Sequence, residues 1–197
     1  IGGSLTYADV NGTVVLRDFT LLAAGKGSLS LSNCTKFGLE NLTKLTEGIT
    51  IAGSTVVIRD CAFTGNLTIS GGSSVEMVNS SCANLTLNGS DLKAVDCNFG
   101  ELSSTGSSSI ELGACAFGTL ITTDSNVTMV DSNASTTNVT GGKARFHRSK
   151  FGNVTFNNGC DWEAHDSWFT GHLYSDNSHS KLFRSSVWST FNHRQPS

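Results

Sequence analysis

A short pattern recurs about every eighteen residues, and this repeat restricts the possible fold more than any other feature of the chain. The copy that starts at Val56 reads Val-Val-Ile-Arg-Asp-Cys-Ala-Phe, with apolar side chains at alternate positions. The position held by Asp60 recurs at spacings of 19, 17, 18, 17, 17, 18 and 18 residues. Its equivalents are Asn79, Asp96, Ala114, Asp131, Arg148, Asp166 and Arg184. Copies in register over this length indicate a solenoid, in which each copy packs on its neighbours.

Each copy contains three short segments with the period-two alternation of a β-strand. In the first regular copy they cover residues 56–58, 61–63 and 67–69. Asp60, Gly65 and Gly71 lie between or after them, and these residue types tolerate the left-handed backbone of a tight corner. No window of the sequence shows apolar residues at the sustained 3.6-residue spacing of an α-helix. The sequence therefore predicts an all-β chain wound into one parallel β-helix of about ten turns, with ~18 residues and three short strands in each turn.

The regularity of the repeat divides the chain into three parts. We expect N-terminal turns with an irregular insertion over residues 1–50 and a regular shaft over residues 51–142. Over residues 143–197 we expect C-terminal turns rich in aromatic and histidine residues, with a cap. Two early copies are assigned at Val14-x-Leu16 and Leu29-x-Leu31. Because 27 residues separate Asn33 from Asp60, we expect residues 36–48 to form an inserted loop or an irregular turn.

The run Val-x-Ile-x-Asp-Cys-x-Phe-x-Gly at residues 56–65 resembles the turns of right-handed parallel β-helix proteins. This group includes the pectate-lyase-like superfamily, bacteriophage tailspikes and fibres, and secreted adhesins. The resemblance extends over residues 50–190 and concerns packing, so it implies the coil and its right-handed sense without implying an activity. Since fibres of this class often associate as trimers, it also implies a homo-oligomer, with a trimer favoured.

The small and aromatic inward positions predict packing. Cys61, Cys97 and Cys115 alternate along the chain with serines at one position beside a corner, as expected where a small buried side chain is needed. Either all of these thiols are reduced, or Cys97 and Cys115 form a disulfide between adjacent turns. A second position carries phenylalanine in most turns and predicts a stack of rings in the core: Phe63, Phe99, Phe117, Phe151 and Phe169.

Two outward columns on the first strand of each turn carry more information. One alternates in charge through Glu76, Lys93 and Glu111, and again through Arg145, Glu163 and Lys181, as expected of a solvated ladder. The next column places Val78, Val95 and Val130 on the surface. These valines either reflect ordinary β-propensity or form a contact with another subunit, and we favour the subunit interface.

The two ends of the chain differ in composition. All five His and all three Trp follow residue 146, and residues 143–197 hold seven of the 13 basic but only four of the 16 acidic side chains. Aromatic rings beside cationic and carboxylate groups are typical of surfaces that bind a glycan or a protein partner, although bulky rings also cap an open coil. The candidate binding residues are Arg145, His147, Trp162, Glu163, His165, Trp168, His172, Tyr174 and Trp188.

No catalytic set emerges from the sequence, and we predict no metal and no cofactor. His147 and His165 would stack on adjacent turns, but two ligands without a third make a poor metal site. Asp161 with Glu163, and Asp166 with Asp176, are the carboxylate pairs that a polysaccharide hydrolase would need. The formal net charge is -3, so the chain lacks the excess of positive charge that is typical of nucleic-acid-binding proteins. No apolar run is long enough for membrane insertion.

These observations favour a non-enzymatic structural and binding module of a virion appendage, such as a phage tailspike, fibre or capsid decoration. Its C-terminal end would contact a surface polysaccharide or other virion proteins, at the virion or extracellular surface. One alternative is a polysaccharide lyase or hydrolase of the pectate-lyase-like type. Another is a glycosylated cell-surface adhesin, since eleven Asn-x-Ser/Thr sequons occur, although the repeat itself also generates such triplets.

Overall fold

The computed structural model describes residues 5–17, 28–45 and 48–194, with the backbone alone for residues 43–45. Every regular element in these ranges is a β-strand. The strands pair in parallel and form two sheets, one of ten strands and one of fifteen. The chain is thus all-β, as predicted.

The strands are numbered in chain order. The first thirteen are β1 Leu5–Ala8, β2 Thr13–Arg17, β3 Leu29–Ser32, β4 Lys36–Glu40, β5 Thr43–Leu45, β6 Ile49–Ala52, β7 Thr55–Arg59, β8 Ala62–Phe63, β9 Asn66–Ser70, β10 Ser74–Val78, β11 Ser81–Asn88, β12 Asp91–Val95 and β13 Asn98–Thr105. The other twelve are β14 Ser109–Gly113, β15 Ala116–Thr123, β16 Asn126–Val130, β17 Asn133–Thr140, β18 Lys143–His147, β19 Lys150–Asn157, β20 Asp161–His165, β21 Trp168–Phe169, β22 Leu173–Asp176, β23 His179–Phe183, β24 Ser186–Val187 and β25 Phe191–Arg194.

The ten-stranded sheet, which we call the first face, stacks one strand from each turn. Its order is β2, β4, β7, β10, β12, β14, β16, β18, β20 and β23. Val75 lies beside Val56 in one neighbouring strand and beside Leu92 in the other, so residues 17 to 19 places apart become vertical neighbours. Ten stacked strands are separated by nine steps, and the coil is therefore a parallel β-solenoid of about nine turns. This confirms the predicted architecture.

The fifteen-stranded sheet, the second face, holds the second and third segments of each turn. These segments are separate strands in the turn with β8 and β9 and in the turn with β21 and β22. In the turns between, they merge into single eight-residue strands, which are β11, β13, β15, β17 and β19. In β13 the alternation of burial breaks at Gly100 and Glu101, where the strand bends. A Cβ at Gly100 would lie 2.5 Å from the carbonyl oxygen of Ala83, so the bend requires glycine there. The prediction of three strands therefore holds for some turns only.

The predicted insertion at residues 36–48 is wrong. Residues 36–40 form β4, which pairs in register with β2 and β7, and Phe37 and Leu39 stack on Val56 and Ile58. Leu29 and Leu31, assigned to the first strand of a turn, instead belong to the second face beside Ile49 and Ile51. Residues 18–27, which follow β2, and residues 46 and 47 lie outside the described residues.

The inward small column is confirmed, and its hydrogen bonds explain why serine and cysteine alternate in it. The Ser80 hydroxyl donates to the carbonyl of Val78, two residues earlier, at 2.8 Å, and the Cys61 thiol donates to the equivalent carbonyl of Arg59 at 3.1 Å. The Ser80 hydroxyl also accepts from the amide of Cys61 in the previous turn, at 3.1 Å. The site requires a small donor, and either residue supplies it.

A matching column at the opposite corner was not identified from the sequence. There the Ser54 hydroxyl donates to the carbonyl of Ala52 at 2.8 Å and accepts from the amide of Cys34 at 2.9 Å. Gly142 holds this position in one turn, and the side chains of the column are Cys34, Ser54, Ser73, Ser90, Ser108, Ser125, Cys160 and Ser178.

All six cysteines are reduced and buried. Burial raises the pKa of Cys82 and that of Cys160, each to about 12. A hydrogen bond to the Cys97 thiol, together with burial, raises the pKa of the Cys115 thiol. Thiols held in this way are poor nucleophiles, which agrees with a packing role.

Two cysteine-to-serine changes should differ in cost. At Cys61 a serine finds the carbonyl that serines in other turns use, so Cys61→Ser should change the free energy of unfolding by less than about 1 kcal/mol. Cys82 lies in the phenylalanine column without a hydrogen-bond acceptor among the described residues, so Cys82→Ser should cost about 1–3 kcal/mol. Urea unfolding of both variants checks this, and equal costs would refute the distinction.

Candidate functional site

The candidate binding residues of the first face lie on β18 and β20, in adjacent turns. Arg145 and Glu163 are direct partners in the ladder, and the Arg145 Nε donates to the Glu163 Oε1 at 2.9 Å. Lys181 follows in the same column on β23. Earlier in this column, Glu76 accepts from Arg59 of the neighbouring column at 3.2 Å. The predicted order of outward charges is confirmed.

Next to this column, two imidazole rings and a phenyl ring form a stack on the protein surface. The rings of His147 and His165 are parallel within 3°, with centroids 4.7 Å apart. The ring of Phe183 continues the stack 4.5 Å beyond His165. The ladder register places these three side chains in the column that also contains Val130, so the valine stripe and the ring stack form one continuous strip.

Ion pairs between successive turns line the corner that follows this strip. Arg148 donates from Nε and from an Nη to the two carboxylate oxygens of Asp131, both at 2.7 Å, and Arg184 holds Asp166 in the same way at 2.7 and 2.8 Å. These hydrogen bonds lower the pKa of Asp131 and of Asp166. Asp166 is thereby kept ionised, which is the opposite of what a general acid of a glycosidase requires.

One candidate was wrongly expected to be exposed. Trp162 is only 1% exposed and points into the coil, where its ring stacks on Phe156 at 4.3 Å. Its indole N–H donates to the Ser175 hydroxyl at 3.3 Å. The alternating register of β20 places Trp162 in the inward column with Ala144, so its side chain is part of the core and is not available to a ligand.

The remaining candidates are exposed but lie on other surfaces. Trp168, on the second face, is 45% exposed and lies beside Lys150 of the preceding turn. His172 and Tyr174 are also exposed, beyond the bend of the second face, and Trp188 is exposed to 76%. The structure therefore brings Arg145, His147, Glu163 and His165 together, but it distributes the aromatic candidates around the coil.

The last turn exposes further apolar side chains that sequence reasoning did not select. Leu182 and Phe191 occupy the inward positions of Ala164 and Leu173, yet they are 36% and 42% exposed. No strand in the described part of the chain pairs beyond β23, β24 and β25. The predicted cap stays a prediction, and residues 195–197 lie outside the described ranges. The inward register alone could not identify these side chains as exposed.

Grooves interrupt both faces, and two of them lie where a column lacks a large side chain. On the first face, Gly113 lies between Val95 and Val130 and leaves a notch of about 200 Å³. On the second face, Ala134 replaces the phenylalanine of other turns, and a groove of about 510 Å³ extends from Phe117 to Phe151. None of the nine candidate residues of the C-terminal turns lines either groove, but Val95 and Val130 of the predicted subunit contact line the notch on the first face. The valine stripe does lie in one outward column, with Val78 and Val130 half-buried and Val95 36% exposed.

Within the described ranges, no three His, Cys, Asp or Glu side chains come together in a way that could hold a metal ion. The same ranges contain no helix suited to crossing a membrane. No protein-family model matches the chain, and no curated protein matches it either.

Proposed function

We propose that the chain is a non-enzymatic structural and binding module of a virion appendage of the tailspike or fibre kind. The solenoid supplies a stiff rod, since successive turns are joined by ladder hydrogen bonds along both faces. The first face contacts another subunit through the valine stripe, and the C-terminal turns contact a surface glycan or another protein of the particle.

The observation that carries this proposal is the concentration of exposed rings in the last turns. Trp168, Tyr174, Phe183, Trp188 and Phe191 are each between 38% and 76% exposed. Flat exposed rings suit both sugar faces and protein contacts. Arg184 in these turns is already paired with Asp166, but Lys181 and Arg194 belong to the same turns, so anionic surface polysaccharides are the favoured ligand class.

Trp188→Ala should reduce binding of the chain to an acidic bacterial capsular polysaccharide by about tenfold, since exposed aromatic anchors often dominate such contacts. Because the side chain is 76% exposed, the change should leave the midpoint of thermal unfolding within about 2 °C. Binding is measured by biolayer interferometry on immobilised polysaccharide, with Thr86→Ala on the second face as the matched control. Undiminished binding by the Trp188 variant, or no binding by the wild type to any polysaccharide or particle protein tested, would contradict the proposal.

A further inference from the structure

We propose that two copies of this chain pair through their first faces, about a twofold axis that runs along the strand direction at the level of Thr128. This pairing rests on the proposed function in one respect, because it names the partner and the register of the subunit contact. It specifies two antiparallel solenoids where the resemblance to fibres implies a trimer.

The central outward column of the first face carries the charges that set this register. From β10 to β23 the ladder gives it the order Glu76, Lys93, Glu111, Thr128, Arg145, Glu163 and Lys181. The signs are minus, plus, minus, neutral, plus, minus, plus. Reversing the order about Thr128 therefore inverts every sign.

A twofold rotation about an axis along the strands turns the two faces toward each other and reverses the order of the turns. It keeps the position along each strand, so the central column of one copy faces the central column of the other. Such a contact is isologous and closes at two subunits. With the axis at Thr128, each charge meets one of opposite sign, and the facing pairs are Glu76 with Lys181, Lys93 with Glu163, and Glu111 with Arg145.

Neighbouring registers are disfavoured by the same column. If the axis moves half a step toward the N-terminal turns, Glu76 faces Glu163 and Lys93 faces Arg145. If it moves half a step the other way, Lys93 faces Lys181 and Glu111 faces Glu163. Like charges across an interface are destabilising, so the column favours the register centred on Thr128.

The adjacent strip fits the same axis by shape. Val130 faces its own copy, and Gly113 faces His147, so the notch of about 200 Å³ lies opposite an imidazole ring. On either side Val95 faces His165 and Val78 faces Phe183, which pairs aliphatic side chains with the stacked rings. The strip thus provides a core of mostly apolar contacts beside the row of charges.

The third outward column lies at the margin of the face and contains the one unfavourable pair, Asp91 opposite Asp161. Both side chains are exposed, so water screens their repulsion. Seven strands of five residues cover about 30 Å by 15 Å, and the pair buries about 1,000 Å² in total. This area is at the lower end for a specific contact, so we expect a reversible dimer that forms with rising concentration.

Charge exchange tests the pairing. Sedimentation velocity of the full chain should show a monomer–dimer equilibrium, and Glu111→Arg or Arg145→Glu should each raise the dissociation constant at least about tenfold. Glu111→Arg combined with Arg145→Glu should restore it to within about threefold, because the facing pair is re-formed with exchanged signs. Glu101→Arg, the same change on the second face, is the matched control and should have no effect.

The register is tested by cross-linking, since only a residue on the twofold axis faces itself. Thr128→Cys should give a covalent dimer with a short bismaleimide, whereas Val15→Cys, in the same column at the far end, should not. A strictly monomeric chain, a three-subunit mass, or equal cross-linking of the two cysteine variants would overturn the pairing. None of these results depends on Trp188, so the pairing and the C-terminal recognition can fail separately.

Discussion

Trp162→Ala should lower the free energy of unfolding by about 3–5 kcal/mol, because the indole fills the coil where its neighbours are small. The vertical neighbours of Trp162 are Ala144 and Ser180, and its ring packs on Phe156 instead. Removal leaves a large cavity and takes the N–H partner from the Ser175 hydroxyl. Urea unfolding followed by far-ultraviolet circular dichroism measures the loss.

Trp168→Ala is the matched control, since Trp168 is 45% exposed and belongs to the same turn. Its removal should cost less than about 1 kcal/mol. If the two tryptophan variants were equally stable, or if Trp168→Ala were the more damaging, the assignment of Trp162 to the core would be incorrect.

Phe117→Ala should also cost about 3–5 kcal/mol, because the ring is buried and its stacking on Phe99 is lost with no neighbouring side chain to replace it. Phe117 stacks on Phe99 at 5.3 Å, but its neighbour in the next turn is Ala134. The cavity would therefore join the gap that already exists above Ala134 and open toward the groove of the second face. The same urea unfolding measures this change.

Thr119→Ala, two residues further along the same strand and partly exposed, should change stability by no more than about 0.5 kcal/mol. Ala134→Phe in the Phe117→Ala background should recover part of the loss, because the new ring can stack on Phe151. A small effect of Phe117→Ala would mean that the phenylalanine column is not a continuous part of the core.

The regular turns could be predicted from the sequence because burial alternates strictly along them. Asp60 and its equivalents adopt positive φ, 54° at Asp60 and 52° at Asp131, as expected of the corner residues. The columns through Glu76 and Val78 follow by counting from these corners. The order of the outward charges and the outward position of Val78, Val95 and Val130 are therefore as predicted, and the role of the valines as a subunit contact stays a prediction.

The incorrect predictions concern properties that a local pattern does not determine. The alternation of apolar and polar residues shows which side chains of a strand point inward, but it does not show on which face of the coil the strand lies. Leu29-x-Leu31 and Phe37-x-Leu39 have the same pattern, and only their pairing shows that the second belongs with Val56. The aromatic composition of the C-terminal turns favours an exposed Trp162, but composition carries no information on register. By register, Trp162 is as inward as Ala144. The exposure of Leu182 depends on what packs beyond it, which no local pattern encodes.

The winding of the chain about a single axis is tested most directly by distances between spin labels in one outward column. With one label at position 76 and the second at position 145, 163 or 181, stacking of ~4.8 Å per turn predicts separations of about 19, 24 and 29 Å. The labels are introduced as cysteines and diluted with unlabelled protein, and double electron–electron resonance gives the separations. Equal steps would support the coil, whereas separations that do not rise in order along the column would contradict it.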